Sequence, residues 1–267
     1  MRKLKIVLIY CLSISAINAQ NLSIIIDITA DSRVFLSSDP DYSKVYNDKL
    51  YFYADDGIHG YELWVYDETD DSHMVKDISP GSYDSYPGYF MEFNGKMYFA
   101  ANDGIHGREL WVYDGINDPY MVKDINPDSN DSNPGSYVEF NNKMYFGAND
   151  GTHGYELWSY DGTNDPELEK DISPGIYSSY PDDLTVFKNK IYFEACDTIY
   201  GTELWEYDGT NEPEVVKEIY PGNGDDDCEV QYLTVFNDKL YFSAEDQTHG
   251  EELWVYDGIS DPKMVKD

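Results

Sequence analysis

The amino-acid sequence predicts an all-β protein, a β-propeller built from four-stranded antiparallel blades. Its 267 residues include 26 Tyr, 11 Phe and 5 Trp together with 20 Gly and 12 Pro, a composition typical of short strands joined by tight turns. One aromatic stretch also recurs five times, and its tryptophans are spaced by 47, 47, 47 and 49 residues. A period of this length indicates stacked repeats that share a core. We expect that core to contain all five: Trp64, Trp111, Trp158, Trp205 and Trp254.

The second repeat shows how one unit is organised. Four short runs of strand-forming residues occupy 89–93, 96–101, 108–114 and 120–125, and the gaps between them carry Gly, Asn, Asp or Pro. The Asn-Gly pair after the first run is a strong hairpin signal. A longer connection follows the fourth run, as a propeller requires where the chain passes from the outer edge of one blade to the inside of the next. A linear β-solenoid is the alternative architecture.

The third run of each unit is largely apolar on both faces. In the first repeat Trp64 and Tyr66 lie on one face and Leu63 and Val65 on the other, because side chains alternate along a strand. A sheet with one face in water alternates more strictly between apolar and polar residues. The pattern therefore favours sheets packed between two neighbours, as in a propeller, over a β-sandwich.

The N-terminal segment 1–19 has the pattern of a secretory signal peptide. Arg2 and Lys3 begin a basic region, residues 6–17 are apolar, and Ala19 offers a small residue for cleavage. The apolar stretch is short for a membrane span. We therefore predict a secreted or cell-surface protein with no membrane insertion after cleavage.

Residues 20–267 are predicted to form a single repeat domain. Residues 23–28 match the fourth strand of a unit, so an orphan strand precedes five units. The last unit ends within the repeated motif, which favours a piece of a longer array over a closed five-bladed ring. The predicted units are 41–88, 89–135, 136–182, 183–230 and 231–267.

The net charge of the chain limits the classes of molecule that it is expected to bind. Asp and Glu number 52 against 18 Lys and Arg, which gives a formal net charge of −34. A surface this acidic repels phosphate backbones, so nucleic acid and anionic lipid are poor partners. Cations and basic ligands are attracted instead, and much of the acidic excess serves solubility.

The third runs and their flanks resemble one known family. The strings ELWVYDETD, ELWVYDGIN, ELWSYDGTN, ELWEYDGTN and ELWVYDGIS are similar to those of bacterial secreted proteins named for the ELWxxDGT repeat. The resemblance covers nearly the whole chain after the signal segment, and it implies export and a repeat architecture but no particular chemistry. Glu68 replaces the Gly of the motif in the first unit, and Ile116 and Ile259 replace its Thr in two others.

Each unit carries an Asp in the loop before its third strand and a Glu near the start of that strand. Carboxylate oxygens and loop carbonyls together could bind Ca²⁺, one ion per blade. In the alternative, the Asp forms an Asx-turn and the Glu accepts backbone N–H bonds; the spacing matches no known calcium loop, which favours this alternative. Four of these loops also contain a His-Gly pair, which we expect to be a packed turn. The candidate calcium ligands are Asp56, Glu62, Asp103, Glu109, Asp150, Glu156, Asp197, Glu203, Asp246 and Glu252.

Cys196 and Cys228 are predicted to form a disulfide. Cys11 belongs to the signal segment, which leaves an even pair in an oxidising compartment. Cys196 lies in a loop before a third strand and Cys228 in the next long connection, so antiparallel connectivity places both on one face near the junction of two blades. Two unpaired thiols are the alternative.

The long connections contain the candidate ligand-binding residues Tyr83, Tyr86, Tyr177 and Tyr180, which could contact sugars or basic peptides. Packing of these rings under the loops is the alternative.

We predict an exported scaffold for extracellular binding or adhesion, with a glycan or protein ligand. Near-identical blades supply the same residues repeatedly, whereas catalysis needs unlike groups at one point, so no enzyme activity is expected. The alternatives are a carbohydrate-active enzyme with a carboxylate pair at a propeller mouth and a purely structural surface array.

Overall fold

The computed structural model describes residues 37–221 and 229–266. These residues form five four-stranded sheets, and each sheet is an antiparallel meander of consecutive strands. The predicted signal segment and the predicted orphan strand 23–28 lie outside the described residues. None of the described residues belongs to a helix long and apolar enough to cross a membrane.

Consecutive groups of four strands make up the five sheets, which we call blades 1 to 5. The strands are β1 (Asp41–Tyr46), β2 (Lys49–Asp55), β3 (Tyr61–Asp67), β4 (Asp70–Lys76), β5 (Gly88–Phe93), β6 (Lys96–Asn102), β7 (Arg108–Tyr113), β8 (Tyr120–Lys123), β9 (Gly135–Phe140), β10 (Lys143–Asn149), β11 (Tyr155–Tyr160), β12 (Glu167–Lys170), β13 (Asp182–Phe187), β14 (Lys190–Asp197), β15 (Gly201–Tyr207), β16 (Glu214–Lys217), β17 (Gln231–Phe236), β18 (Lys239–Asp246), β19 (Gly250–Tyr256) and β20 (Lys263–Lys266).

A two-residue turn joins the first and second strands of every blade. In blade 2, Asn94 and Gly95 have φ angles of +49° and +70°. Left-handed backbone at both positions is the geometry of a type I′ turn, whose twist matches that of the paired strands. Both turn residues are left-handed in the other blades too: Asn47 and Asp48, Asn141 and Asn142, Lys188 and Asn189, Asn237 and Asp238.

The first strands of successive blades lie against one another, β1 on β5, β5 on β9, β9 on β13 and β13 on β17. They are therefore the inner strands of the array. Each inner strand has a register irregularity near its start, for example between Gly88 and Met91 in β5. The second residue of each inner strand is left-handed as a result, and in β1 and β5 this residue is Tyr42 and Tyr89.

The third strands join the blades through apolar clusters. Leu63 of blade 1 packs in one cluster with Trp111 and Tyr113 of blade 2, and Leu110 of blade 2 packs in the next with Trp158 of blade 3. At these junctions the Leu comes from the earlier blade and the Trp from the later one. The same arrangement continues with Leu157 and Trp205 and with Leu204 and Trp254.

Blade 5 differs on the face that carries Leu. Leu253 is 49% exposed, whereas its equivalents in blades 1 to 4 are fully buried. Phe236 of β17 is likewise exposed, while the equivalent Phe93 is buried. In the described residues this face of blade 5 remains uncovered. The prediction of an all-β protein made of four-stranded antiparallel units is confirmed.

Candidate functional site

A cavity of about 550 Å³ opens where the inner strands begin, within the size range of small-ligand sites. Six tyrosines contribute to its lining, and we call it the tyrosine pocket. It draws on blades 1, 2 and 3, on the first residue of blade 4 and on the connections that join successive blades. The six tyrosines are Tyr42, Tyr53, Tyr86, Tyr89, Tyr155 and Tyr180.

The tyrosine rings support one another. The ring of Tyr42 lies 5.9 Å from that of Tyr53 and 5.5 Å from that of Tyr89, measured between centroids. Tyr86 lies 6.4 Å from Tyr53 in an edge-to-face contact, and it stacks on Tyr61 at 5.3 Å. These separations are in the favourable range for aromatic pairs. The rings are therefore held in place before any ligand arrives.

Three positions of the repeat supply Arg108 and five of the six tyrosines, all but Tyr53. The residue before a proline is Tyr86 in one connection and Tyr180 in another, and both are left-handed, with φ of +45° and +48°. The second residue of the inner strand gives Tyr42 and Tyr89. The first residue of the third strand gives Arg108 and Tyr155. A left-handed non-glycine backbone costs on the order of 1–3 kcal/mol, so the surrounding structure must hold these residues in position.

A buried glutamate provides that support. Glu62 is fully buried, and its carboxylate accepts hydrogen bonds from the N–H groups of Ile78 and Ser79 at 2.9 and 3.0 Å and from the hydroxyl of Ser85 at 2.6 Å. Ser85 also donates its N–H to the Tyr61 carbonyl, and its own carbonyl accepts from Asn102 of blade 2. The glutamate therefore fixes the connection that presents Tyr86.

The same arrangement recurs in the next two blades. Glu109 accepts from the N–H groups of Ile125 and Ser132 and from the Ser132 hydroxyl, and Glu156 does the same with Ile172 and Ser179. Glu203 accepts from the N–H groups of Ile219 and Tyr220. Burial raises the pKa of three of these carboxyl groups to about 7, against the opposing effect of their hydrogen bonds: Glu62, Glu109 and Glu156.

The loop before each third strand is closed by its own aspartate. Asp103 Oδ1 accepts from the N–H groups of Ile105 and His106, and Oδ2 lies 2.8 Å from His106 Nδ1. This hydrogen bond raises the pKa of His106; burial acts to raise the pKa of Asp103, but its bonds with His106 and Ile105 outweigh burial and lower it. Gly107 ends the loop with φ of +76°, and a Cβ there would lie 2.1 Å from the Asn130 carbonyl oxygen.

Nine of the ten candidate calcium ligands, all but Glu252, accept hydrogen bonds from other described residues. The described residues contain no group of three or more His, Cys, Asp or Glu side chains placed to hold a metal ion. Three aspartates that start the long connections nonetheless have a buried oxygen without a hydrogen-bond partner, and these oxygens are Oδ1 of Asp77, Asp124 and Asp171. Calcium binding remains a prediction.

The structure separates the four tyrosines named from the sequence. Tyr86 and Tyr180 line the tyrosine pocket, whereas Tyr83 and Tyr177 lie outside it and are 73% and 64% exposed.

Cys228 lies outside the described residues, so the disulfide also remains a prediction. Cys196 was expected in the loop before the third strand, but it is the penultimate residue of β14, with its Sγ 3.7 Å from the Ser178 carbonyl oxygen.

The sequence alone did not single out Tyr42, Tyr53, Tyr89, Arg108 or Tyr155. A signal for most of them was present in the repeats. Positions that line the pocket change their residue from blade to blade, whereas the neighbouring core positions do not. The residue directly before the repeated Glu is Tyr61, Arg108, Tyr155, Thr202 or Glu251. It is the first residue of the third strand in blades 1 to 3, whereas in blades 4 and 5 that strand begins one residue earlier, at Gly201 and Gly250.

No family model matches the chain, and no curated protein is similar to it in sequence. Among solved structures, the chain is similar to the β-propeller domain of the Trilobed protease from Pyrococcus furiosus, with a TM-score of 0.51 and 13% identity over 86% of this chain and 69% of that one. It is also similar to a puromycin-hydrolyzing peptidase of Mycobacterium tuberculosis, with a TM-score of 0.55 and 10% identity over 86% of this chain. The chain spans only 39% of that peptidase.

A prolyl endopeptidase gives a TM-score of 0.53 at 9% identity, over 84% of this chain and 34% of the endopeptidase. Identities this low establish a shared fold and nothing about activity. The prediction of a β-propeller built from four-stranded blades is confirmed. The resemblance to the ELWxxDGT repeat proteins remains a prediction.

Proposed function

We propose that the protein is an exported, acidic propeller scaffold that binds an extracellular glycan in the tyrosine pocket and performs no catalysis. The observation that carries this proposal is the pocket itself, in which six tyrosines from three blades converge on one cavity. A tyrosine offers an apolar ring face and a hydroxyl at its edge. A sugar ring presents the matching combination of C–H faces and hydroxyl groups.

The variation among repeats supports binding at this place. Tyr86, Asn133 and Tyr180 occupy the same position before a proline, and all three are left-handed. The backbone is therefore kept while the side chain changes, as expected of a surface adapted to one ligand. Export is proposed because segment 1–19 has the composition of a signal peptide.

Hydrolysis of a glycan is less well supported. The usual mechanism places two carboxyl groups on either side of the scissile bond. Asp182 is the one carboxylate residue among the described residues that line the pocket. The buried carboxylates Glu62 and Glu109 face the connections between blades, where their oxygens are already hydrogen-bonded.

The test is a glycan array followed by calorimetric titration of the best ligand. The double variant Tyr86→Asn, Tyr180→Asn removes two rings and introduces the residue that the chain itself uses at position 133. We expect its affinity to fall at least tenfold. The matched control is Tyr83→Asn, Tyr177→Asn, which alters two exposed tyrosines outside the pocket and should leave the affinity unchanged. An array without any bound glycan, or equal losses in both double variants, would refute the proposal.

A further inference from the structure

Arg108 is the only arginine among the described residues, and it lies in the tyrosine pocket. It stands directly before a repeated Glu, at a position that Tyr61, Tyr155 and Thr202 occupy in other blades. The repeat architecture therefore does not require a cation here. A single fixed positive charge in a pocket of an otherwise strongly acidic protein needs a separate explanation.

The guanidinium of Arg108 is held but not neutralised. Its Nη1 donates a hydrogen bond to the Tyr86 carbonyl, and the backbone N–H of Arg108 donates to Asp131 Oδ1 at 2.7 Å. Of the described carboxylates, none has an oxygen within 4 Å of a guanidinium nitrogen. Most of the five N–H donors of the guanidinium therefore have no partner among the described residues.

The backbone next to the guanidinium is open. Gly88 begins β5, and a Cβ at this residue would lie 3.4 Å from Arg108 Nη2 and 3.5 Å from Tyr42 Cδ1. Gly135 begins β9, where a Cβ would lie 3.7 Å from the Tyr155 hydroxyl. Asp41 and Asp182 occupy the same position in blades 1 and 4. The two glycines therefore leave free space beside the cation and beside the tyrosine rings.

A half-buried cation that pairs with no carboxylate of residues 37–221 and 229–266 favours an anionic ligand group. Burial lowers the pKa of Arg108, yet an arginine stays charged in proteins. The planar fork of the guanidinium matches the two oxygens of a carboxylate, and such a charge-assisted pair is stronger than a neutral hydrogen bond. The surrounding rings add an apolar surface for the ring that bears the carboxylate.

We propose that the tyrosine pocket recognises an acidic glycan through a hexuronic acid residue, whose carboxylate pairs with Arg108 while its ring packs on the tyrosines. This inference rests on the proposed function, since it names the class of glycan that the same pocket binds. Asp182 also lines the pocket, and in this proposal its carboxylate accepts hydrogen bonds from hydroxyl groups of the bound sugar.

The net charge of −34 limits which acidic ligands are accepted. Long-range repulsion disfavours a polyanion, but it is screened beyond about 8 Å at physiological salt. A pair formed inside the pocket is screened much less. Affinity for a short uronic oligosaccharide should therefore hold or rise when salt increases from low to physiological concentration, opposite to the behaviour of a basic polyanion-binding site.

The experiment titrates the mature protein with three trisaccharides, of galacturonic, glucuronic and mannuronic acid, and with the neutral hexose trisaccharide that corresponds to each. We expect at least one acidic trisaccharide to bind at least tenfold more tightly than its neutral counterpart. Arg108→Tyr introduces the residue found at positions 61 and 155, so the fold should be retained, and it should bring the ratio of acidic to neutral affinity down to about one. Arg108→Lys keeps the charge without the fork and should retain an intermediate preference.

The outcomes separate this inference from the proposed function. Equal binding of acidic and neutral sugars, lost in Tyr86→Asn, Tyr180→Asn, would overturn the inference and leave glycan binding standing. An acidic preference that survives in Arg108→Tyr would also overturn it. Failure of all six trisaccharides to bind would overturn the inference, and the glycan array would then decide whether the proposed function falls with it.

Discussion

Arg108 and Glu109 are adjacent in the chain, yet they belong to two different regions of the molecule. Glu109 faces the junction between two blades, is fully buried, and has a counterpart in every repeat. Arg108 faces the tyrosine pocket and is replaced by another residue type in the other repeats. Alternation along a strand sends the two side chains to opposite faces. One position is therefore constrained by the architecture, and its neighbour can vary with the ligand.

The largest effect on stability is expected when Glu109, the residue of this pair that supports the architecture, is replaced. Glu109→Ala removes the acceptor of the buried Ile125 N–H and leaves the Ser132 N–H and hydroxyl with only the Arg108 carbonyl, at 3.1 and 3.2 Å. This change should cost about 3 kcal/mol of unfolding free energy. Denaturant unfolding measures this cost. The control is Arg108→Tyr, which should change the free energy by less than about 1 kcal/mol. Equal losses for the two variants would remove the distinction between the regions.

The pH dependence of stability provides a second distinction. Glu62, Glu109 and Glu156 have a pKa of about 7 in the folded protein, above the ordinary value of 4.5. Between these two pH values the folded state binds more protons than the unfolded state, so stability falls as pH rises from 4.5 to about 7. Each carboxyl group contributes up to about 1.4 kcal/mol per pH unit in that window.

The loop histidines and aspartates define the rest of the pH profile. The pKa of His59, His106 and His153 is raised by hydrogen bonds to aspartate, so their contribution is also lost as pH rises. The pKa of the paired aspartates is lowered, and their contribution is lost only as pH falls through the folded-state pKa. We therefore expect the highest melting temperature at about pH 4, between the ordinary pKa values of aspartate and glutamate, and a decline from there to about pH 7. Glu109→Gln should make that decline shallower, whereas Arg108→Tyr should not; an unchanged slope in Glu109→Gln would contradict the assignment.

A smaller effect on stability is expected in the pocket. Tyr86→Asn and Tyr180→Asn should each change the unfolding free energy by less than about 1 kcal/mol, because both rings are largely exposed and asparagine tolerates a left-handed backbone. Thermal melts of the single variants measure the change. A loss as large as that of Glu109→Ala would mean that the pocket tyrosines are part of the architecture.

The smallest effect is expected from calcium. The oxygens of Asp103 and its equivalents in the first and third blades are hydrogen-bonded to their own loops. Melting temperatures with EDTA and with millimolar Ca²⁺ should therefore agree within about 1 °C. A stabilisation of several degrees by Ca²⁺ that is lost in Asp77→Asn would instead identify a site at the partnerless aspartate oxygens and favour a structural, cation-dependent array.

The contrast between the two regions explains how much the sequence could predict. The strands, turns and blade order follow from features that repeat, such as the Trp and Leu of the third strand and the Asn-Gly turn. Repetition also marked Glu109 and its equivalents, although hydrogen bonding and calcium binding remained as alternatives. The pocket could not be predicted in this way, because its residues vary and because Tyr53, Arg108 and Tyr155 come together only when three blades pack around one axis.

The backbone irregularity of the inner strands was also not readable from the sequence. Tyr42 and Tyr89 reach the pocket because the second residue of each inner strand is left-handed, and Ser136 and Asp183 share this backbone state. Residues with such different side chains at one position give no consistent propensity signal. Only the structure shows that the backbone conformation at this position is the same in every blade.

The serines beside the pocket have a mechanical consequence. Ser85 hydrogen-bonds to β3 of its own blade and accepts from Asn102 of the next, and Ser132 and Ser179 make the same bridge. The hydrogen-bonded junctions between blades therefore end at the rim of the pocket. A ligand that contacts Tyr53, Tyr89 and Tyr155 at once would span two of these junctions and connect three blades. Under tension, such a ligand would oppose the separation of one blade from the next. Affinity for the ligand and mechanical stability of the array would therefore increase together.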